Sequence, residues 1–75
     1  MSQKAVHTPE YKIIIKRLRE VRESVGLNQT DAAKKLRKPQ SYISKIESGE
    51  RRLDVIELKT LAKIYKKPIA HFMGD

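Results

Sequence analysis

Cysteine and tryptophan are absent from this chain of 75 residues, and its only aromatic residues are three tyrosines and one phenylalanine. Without cysteine there can be no disulfide and no thiolate metal site, which fits a reducing compartment. The longest aliphatic run is the three isoleucines from Ile13 to Ile15, which are too few to span a bilayer. The opening residues lack the apolar stretch of a signal peptide, so we expect a cytoplasmic protein.

Acidic residues are scarce as well. Nine Asp and Glu stand against seventeen Lys and Arg, which gives a net charge of +8. Such an excess on one small domain favours a polyanionic partner, with nucleic acid first and an anionic membrane second. The alternative is a surface that is charged only for solubility. A chain this short also buries only about 60% of its unfolded surface, which leaves no room for an internal substrate cavity.

The hydrophobic pattern has the period of helices. In the first segment the apolar residues recur at helical offsets, and Gly26 follows as a stop signal: these residues are Tyr11, Ile14, Ile15, Leu18, Val21 and Val25. A second helix begins at the N-cap Asn28 and must end before Pro39, where a third helix starts and runs to Ser48.

Two more helices are predicted after Gly49. Asp54 and Glu57 have the spacing of a capping box, so a fourth helix begins there. A short final helix is expected after Pro68. The turns Leu36-Arg-Lys-Pro39 and Tyr65-Lys-Lys-Pro68 are similar, which indicates that one turn chemistry is used twice. The sequence therefore predicts an all-α, compact domain of five short helices over residues 9–75, preceded by a disordered tail, residues 1–8.

The third predicted helix, QSYISKIES, has an unusual set of residues on its solvent-facing side. At about 100° per residue, Ile43 and Ile46 define its buried side. The opposite side carries hydroxyls and an ammonium group from Ser41, Ser44, Lys45 and Ser48, with Gln40 at the N-terminus. Serine is a poor choice for helix stability, but Gln, Ser and Lys all match the hydrogen-bonding groups of base edges.

The segment GLNQTDAAKKL followed by PQSYISKIESGERRLDVIELKTLAKIY resembles the lambda-repressor-like (Xre/Cro-type) helix-turn-helix DNA-binding domain over residues 11–73. The resemblance implies that the second and third helices form the helix-turn-helix and that the third lies in the major groove of double-stranded DNA. It makes four residues of the third helix the base readers: Gln40, Ser41, Ser44 and Lys45.

The resemblance also implies a set of contacts to the DNA backbone. Gln29 would contact a phosphate and steady Gln40, although it could be only a helix former. Arg51 and Arg52 match the family's phosphate-contacting loop, with a solvated turn as the alternative. Lys38 can also reach the backbone. Tyr42 could touch a thymine methyl group or shield the edge of the core, but we favour a phosphate contact.

Two opposite charges fall on apolar faces. Arg22 lies within the apolar stripe of the first helix, and Glu47 lies only about 40° from Ile43 on the third. Such charges make sense if they pair, and residues at these two positions form an ion pair in the family. We therefore predict a buried Arg22–Glu47 pair.

The turn departs from the family pattern of glycine, an apolar residue and a capping serine. Here these positions hold Arg37, Lys38 and Pro39. An arginine where glycine normally takes a positive φ predicts strain or a reshaped turn.

The C-terminal apolar residues Ile69, Phe72 and Met73 suggest a homodimer interface, because one small molecule can hardly bury all three. The alternative is that they close the core against Leu61 and Tyr65. A family dimer reads a palindrome with half-sites about 34 Å apart.

The sequence thus predicts a sequence-specific transcriptional regulator, most simply a repressor that binds palindromic operator DNA as a homodimer. The rival is a protein-interaction module, such as an antitoxin or a restriction-modification controller, whose main role is with a partner protein. RNA binding would suit the charge but lacks stacking platforms. No catalytic constellation stands out, and His7 and His71 lack ligand partners, so we expect no enzyme activity, no cofactor and no metal.

Overall fold

The computed structural model describes residues 8–73. The elements in order are α1 (Pro9–Ser24), α2 (Gln29–Leu36), α3 (Gln40–Ser48), α4 (Val55–Ile64) and a single 3-10 turn (Ile69–His71). No strand occurs among the described residues. The predicted disordered tail lies outside them, apart from Thr8, whose hydroxyl caps α1 by accepting the backbone N–H of Tyr11 at 3.2 Å.

The helices begin where the sequence signals predict. Asn28 and Asp54 each cap a helix with the side chain, and Asp31 and Glu57 return the bond to the cap's own backbone. These reciprocal bonds satisfy donors that a helix otherwise leaves open. α3 is the exception, because Pro39 has no side chain that can cap.

The prediction of a fifth helix is wrong. After Pro68 the chain makes one tight turn, in which His71 N–H donates to the carbonyl of Pro68 and Phe72 N–H to that of Ile69, both at 3.0 Å. Bonds of this i→i+3 type define a 3-10 turn, which rarely extends beyond one turn. The tight turn brings the Phe72 ring into the core, where it is fully buried.

All four helices end in the same type of hydrogen-bonded turn, with a residue of positive φ just after the helix. These residues are Gly26 (φ 81°), Arg37 (φ 58°), Gly49 (φ 83°) and Lys66 (φ 60°). After α2, Arg37 N–H donates to the carbonyl of Lys34 and Lys38 N–H to that of Ala33, at 3.0 and 2.9 Å. This is a Schellman motif, which satisfies the last carbonyls of a helix.

The Schellman motif after α2 shows where the strain predicted for that turn resides. Arg37 itself takes the left-handed conformation, which costs a non-glycine residue about 1 kcal/mol or more. Lys66 does the same after α4, so the two similar Lys-Pro turns do share one geometry. The helix-turn-helix therefore keeps its ordinary turn without the ordinary glycine.

One apolar core holds the helices together. α2 contributes the fully buried Ala32 and Ala33, which are 0% and 1% exposed, and the partly buried Leu36. Side chains as small as alanine let α2 lie close to α3. The buried apolar residues are Ile15, Leu18, Val21, Ala32, Ala33, Ile43, Ile46, Leu58, Leu61, Ala62, Tyr65 and Phe72. The core thus lies beneath the helix-turn-helix and leaves the outer face of α3 uncovered.

Candidate nucleic-acid interface

The outer face of α3 projects polar side chains into solvent. Gln40, Ser41 and Lys45 are exposed and Ser44 is half-buried. The opposite face is anchored by Ile43 and Ile46, each only 1% exposed. The structure therefore gathers all four predicted base readers on or beside one surface of a rigidly packed helix.

Gln40 does not project freely. Its Nε2 donates to Oε1 of Gln29 at 2.6 Å, which joins the first residue of α3 to the first residue of α2. The Nε2 of Gln29 donates in turn to Oε1 of Glu47 at 3.0 Å. Gln29 thus lies where the resemblance places it, beside Gln40, and it also contacts a residue that the sequence did not connect with it.

Arg22 and Glu47 form a two-pronged ion pair between α1 and α3. The Arg22 Nε lies 2.7 Å from Glu47 Oε2, and its Nη2 lies 3.0 Å from Oε1. The side chains are only 7% and 6% exposed. The bond to Glu47 raises the pKa of Arg22, and a third donor of its guanidinium reaches the carbonyl of Leu27 at 2.8 Å. The charges are therefore paired and hydrogen-bonded, as buried charges must be.

Tyr42 makes a contact that the sequence did not predict. Its hydroxyl donates to Oε2 of Glu57 at 3.0 Å. The hydroxyl group that was predicted to contact a phosphate therefore already has an acceptor within the chain. Burial, followed by the bond to Glu57, raises the pKa of Tyr42 to about 12. Its ring lies near two cations, with Arg51 Cζ 4.7 Å and Lys38 Nζ 5.4 Å from the ring centroid. Tyr42 therefore acts as a support for neighbouring basic groups.

Arg51 is likewise engaged within the chain. Its two terminal nitrogens reach the two oxygens of Glu57 at 3.0 and 2.9 Å, and one also donates to the carbonyl of Arg52 at 2.9 Å. The hydrogen bond from Arg51 is the main reason why the pKa of Glu57 is lowered. By contrast, Arg52 and Lys38 are exposed. Of the cations predicted to contact phosphate, these two are the more accessible.

The predicted dimer residues separate into three environments. Phe72 is 0% exposed, and its ring fills the core of a single chain together with Leu61 and Tyr65, which favours the alternative that it closes the core. Ile69 is half-buried against that core, and Met73 is 56% exposed. Of the three, Met73 is the residue that stays exposed and available for an interface.

The apolar surface that remains exposed was missed by the sequence analysis. Val55 and Ile56 at the start of α4 are each 66% exposed. A groove of about 250 Å³ runs beside them, between the start of α1 and the start of α4, and Met73 forms part of its wall. The available signal was the pattern around the capping box, where two apolar residues precede the first buried one, Leu58.

Taken together, two helices joined by a three-residue turn, with the second helix presenting a polar outer face, define a helix-turn-helix domain. The family described as Helix-turn-helix, HTH_3, matches residues 18–72. The chain belongs to this family, whose lambda-repressor-like (Xre/Cro-type) character the sequence predicted. It is a DNA-binding regulator in general terms. A search of curated proteins gave no match. Within residues 8–73, no helix is long and apolar enough to cross a membrane.

Proposed function

We propose that the protein is a sequence-specific transcriptional repressor that inserts α3 into the major groove of operator DNA. The observation that carries the proposal is the exposed Gln40, whose amide is held by Gln29 on a helix whose other face is locked into the core. A side chain held in this way has already lost much of its conformational entropy, so less is lost when it meets a base edge. Repression would follow from occupying promoter sequence in the cytoplasm.

The basic residues around α3 would supply most of the affinity. Positively charged side chains that neutralise phosphates release counterions, so the logarithm of the binding constant falls linearly with the logarithm of salt concentration. Exposed Arg52 and Lys38 are the best candidates, because Arg51 is already paired with Glu57. Lys67 provides a control, since it is exposed on the turn between α4 and the 3-10 turn.

The test is selection from a random pool of double-stranded DNA, followed by affinity measurements over a salt series. We expect one enriched consensus, whose selectivity falls in Gln40→Ala and Lys45→Ala. Arg52→Ala should weaken all sequences alike and lower the salt slope by about 1, whereas Lys67→Ala should leave the slope unchanged. Uniform, salt-sensitive binding without an enriched sequence would refute the repressor function.

A homodimer on a palindromic operator is part of the proposal. The surface that supports it is the exposed apolar set Val55, Ile56 and Met73. The same surface also favours the second candidate function, a protein-interaction module such as an antitoxin. Light scattering at high micromolar concentration and the symmetry of the selected consensus separate the two. A dimer with a palindromic consensus supports the repressor, whereas a monomer that co-purifies with a stoichiometric partner supports the interaction module.

A further inference from the structure

A continuous chain of hydrogen bonds runs from the buried ion pair to the exposed tip of α3. Arg22 donates to Glu47, Gln29 donates to Glu47 at 3.0 Å, and Gln40 donates to Gln29 at 2.6 Å. The direction of these bonds follows from which groups can donate and which can accept. A guanidinium can only donate and a carboxylate can only accept, whereas a glutamine amide does either, depending on which way it is turned.

The carboxylate of Glu47 therefore determines how both amides are turned. Because Glu47 only accepts, Gln29 must point its Nε2 inward and its Oε1 outward. Because that Oε1 only accepts, Gln40 must turn one N–H toward it. Gln40 then has one N–H and its own Oε1 left for a ligand. Building on the proposed function, we propose that Glu47 is a positioning residue that sets the hydrogen-bonding polarity of Gln40 and so its base preference.

The alternative polarity would present a different surface. If Gln29 were turned the other way, its Nε2 would donate to the Oε1 of Gln40, and Gln40 would offer both N–H groups outward while its Oε1 faces Gln29. A donor beside an acceptor matches the N6 amino group and N7 of adenine, whereas two donors match O6 and N7 of guanine. Glu47 contacts neither adenine nor guanine in this arrangement. It favours adenine only through the orientation of the Gln29 and Gln40 amides.

The test removes the carboxylate without leaving a lone buried charge. In the double variant Arg22→Met/Glu47→Leu both members of the pair become apolar, a replacement that buried pairs often tolerate. Gln40→Ala first identifies the base position that Gln40 reads. At that position the wild type should prefer adenine over guanine by roughly 5- to 150-fold, and the double variant should lose most of this preference. Preference at every other position should be unchanged.

Glu23→Ala is the matched control. It removes another carboxylate near Arg22, at 3.9 Å, which is exposed and takes no part in the chain of bonds, so it should leave the adenine preference intact. A merely structural role for Glu47 predicts instead that the double variant loses affinity equally for all sequences. That outcome would overturn the inference, and so would a preserved adenine preference in the double variant or a guanine preference in the wild type.

A second measurement does not depend on the folding of the variant. In the free wild-type protein, NMR should detect a scalar coupling across the hydrogen bond between the Gln29 side-chain amide nitrogen and the Glu47 carboxyl carbon. Its absence would overturn the inference. Failure of the proposed function is distinguishable, because the wild type would then select no sequence at all. An enriched consensus that Gln40→Ala does not alter would refute Gln40 as a reader, and the inference with it.

Discussion

Replacing Arg22 with alanine tests the buried ion pair most directly. The substitution leaves Glu47 without its counter-charge at a site where the side chain is only 6% exposed. Breaking one partner of such a pair costs about 3–5 kcal/mol, because the remaining charge is buried and uncompensated. The same substitution removes the donor to the Leu27 carbonyl at 2.8 Å, which adds to the loss.

The expected loss is large compared with the stability of the whole domain. A protein of 75 residues is stable by roughly 4–11 kcal/mol, at 0.05–0.15 kcal/mol per residue. In a domain of this size each kcal/mol lowers the melting temperature by about 4–8 °C. Arg22→Ala should therefore melt at least ~12 °C below the wild type, measured by circular dichroism at neutral pH.

The neighbouring residue Glu23 provides a matched control. It also lies near Arg22, at 3.9 Å, but its side chain is 62% exposed. Exposed pairs contribute between about 0 and 1 kcal/mol, so Glu23→Ala should change the melting temperature little. The double variant Arg22→Met/Glu47→Leu should recover most of the stability lost in Arg22→Ala. Equal melting temperatures for Arg22→Ala and the wild type would show that Glu47 tolerates the loss of its counter-charge, and would refute the reasoning.

The remaining predictions concern Lys66, Phe72 and Tyr65, which lie near the C-terminal end of the described residues. Lys66→Gly should stabilise the fold by about 0.5–1 kcal/mol, because glycine relieves the left-handed strain at a smaller cost in unfolded-state entropy. Lys67→Gly, the control, should not stabilise it. If urea unfolding showed Lys67→Gly to be the more stable variant, it would contradict the presence of strain at Lys66. Phe72→Ala should lower the free energy of unfolding by about 3–5 kcal/mol, measured by thermal unfolding, and Met73→Ala should lower it far less. A Phe72→Ala variant that stays stable and only dissociates a dimer would instead support the assignment of Phe72 to the interface. Burial raises the pKa of Tyr65 to about 12 from 10.0, so its phenol holds the proton more tightly in the folded state. The stability that this pKa shift contributes, roughly 3 kcal/mol at most, is fully present below pH 10 and is lost between pH 10 and 12. Over that interval Tyr65→Phe should therefore lose less free energy of unfolding than the wild type.

Local signals allowed most of the helix boundaries to be predicted. Asn28, Asp54 and Gly49 act within a few residues of their own positions, so the sequence contains everything that these helix ends require. Periodicity also placed Ile43 and Ile46 on the inner face of α3. The prediction of a fifth helix was wrong because the length of that segment depends on how Phe72 packs into the core, and the position of the core is not a local property of the sequence.

The contacts within the site were harder to predict. The capping box gave Glu57 a role at the start of α4, but its bonds to Tyr42 and Arg51 depend on how α4 packs beside α3. Periodicity placed Arg22 and Glu47 on the apolar faces of their helices, and their pairing was predicted from these misplaced charges together with the family resemblance. Which amide donates to which, between Gln29 and Gln40, follows only once Glu47 is seen to contact Gln29.

The repeated Schellman turn has a consequence for folding kinetics. The C-terminal end of each of the four helices is closed by backbone bonds that span only six residues, so these helices can form and stop before the core assembles. Domains built from such local contacts fold in microseconds to milliseconds. The Arg22–Glu47 pair, whose partners are 25 positions apart, would then form late. Its loss should appear mainly as faster unfolding, so that the pair governs the lifetime of the native state more than the speed of reaching it.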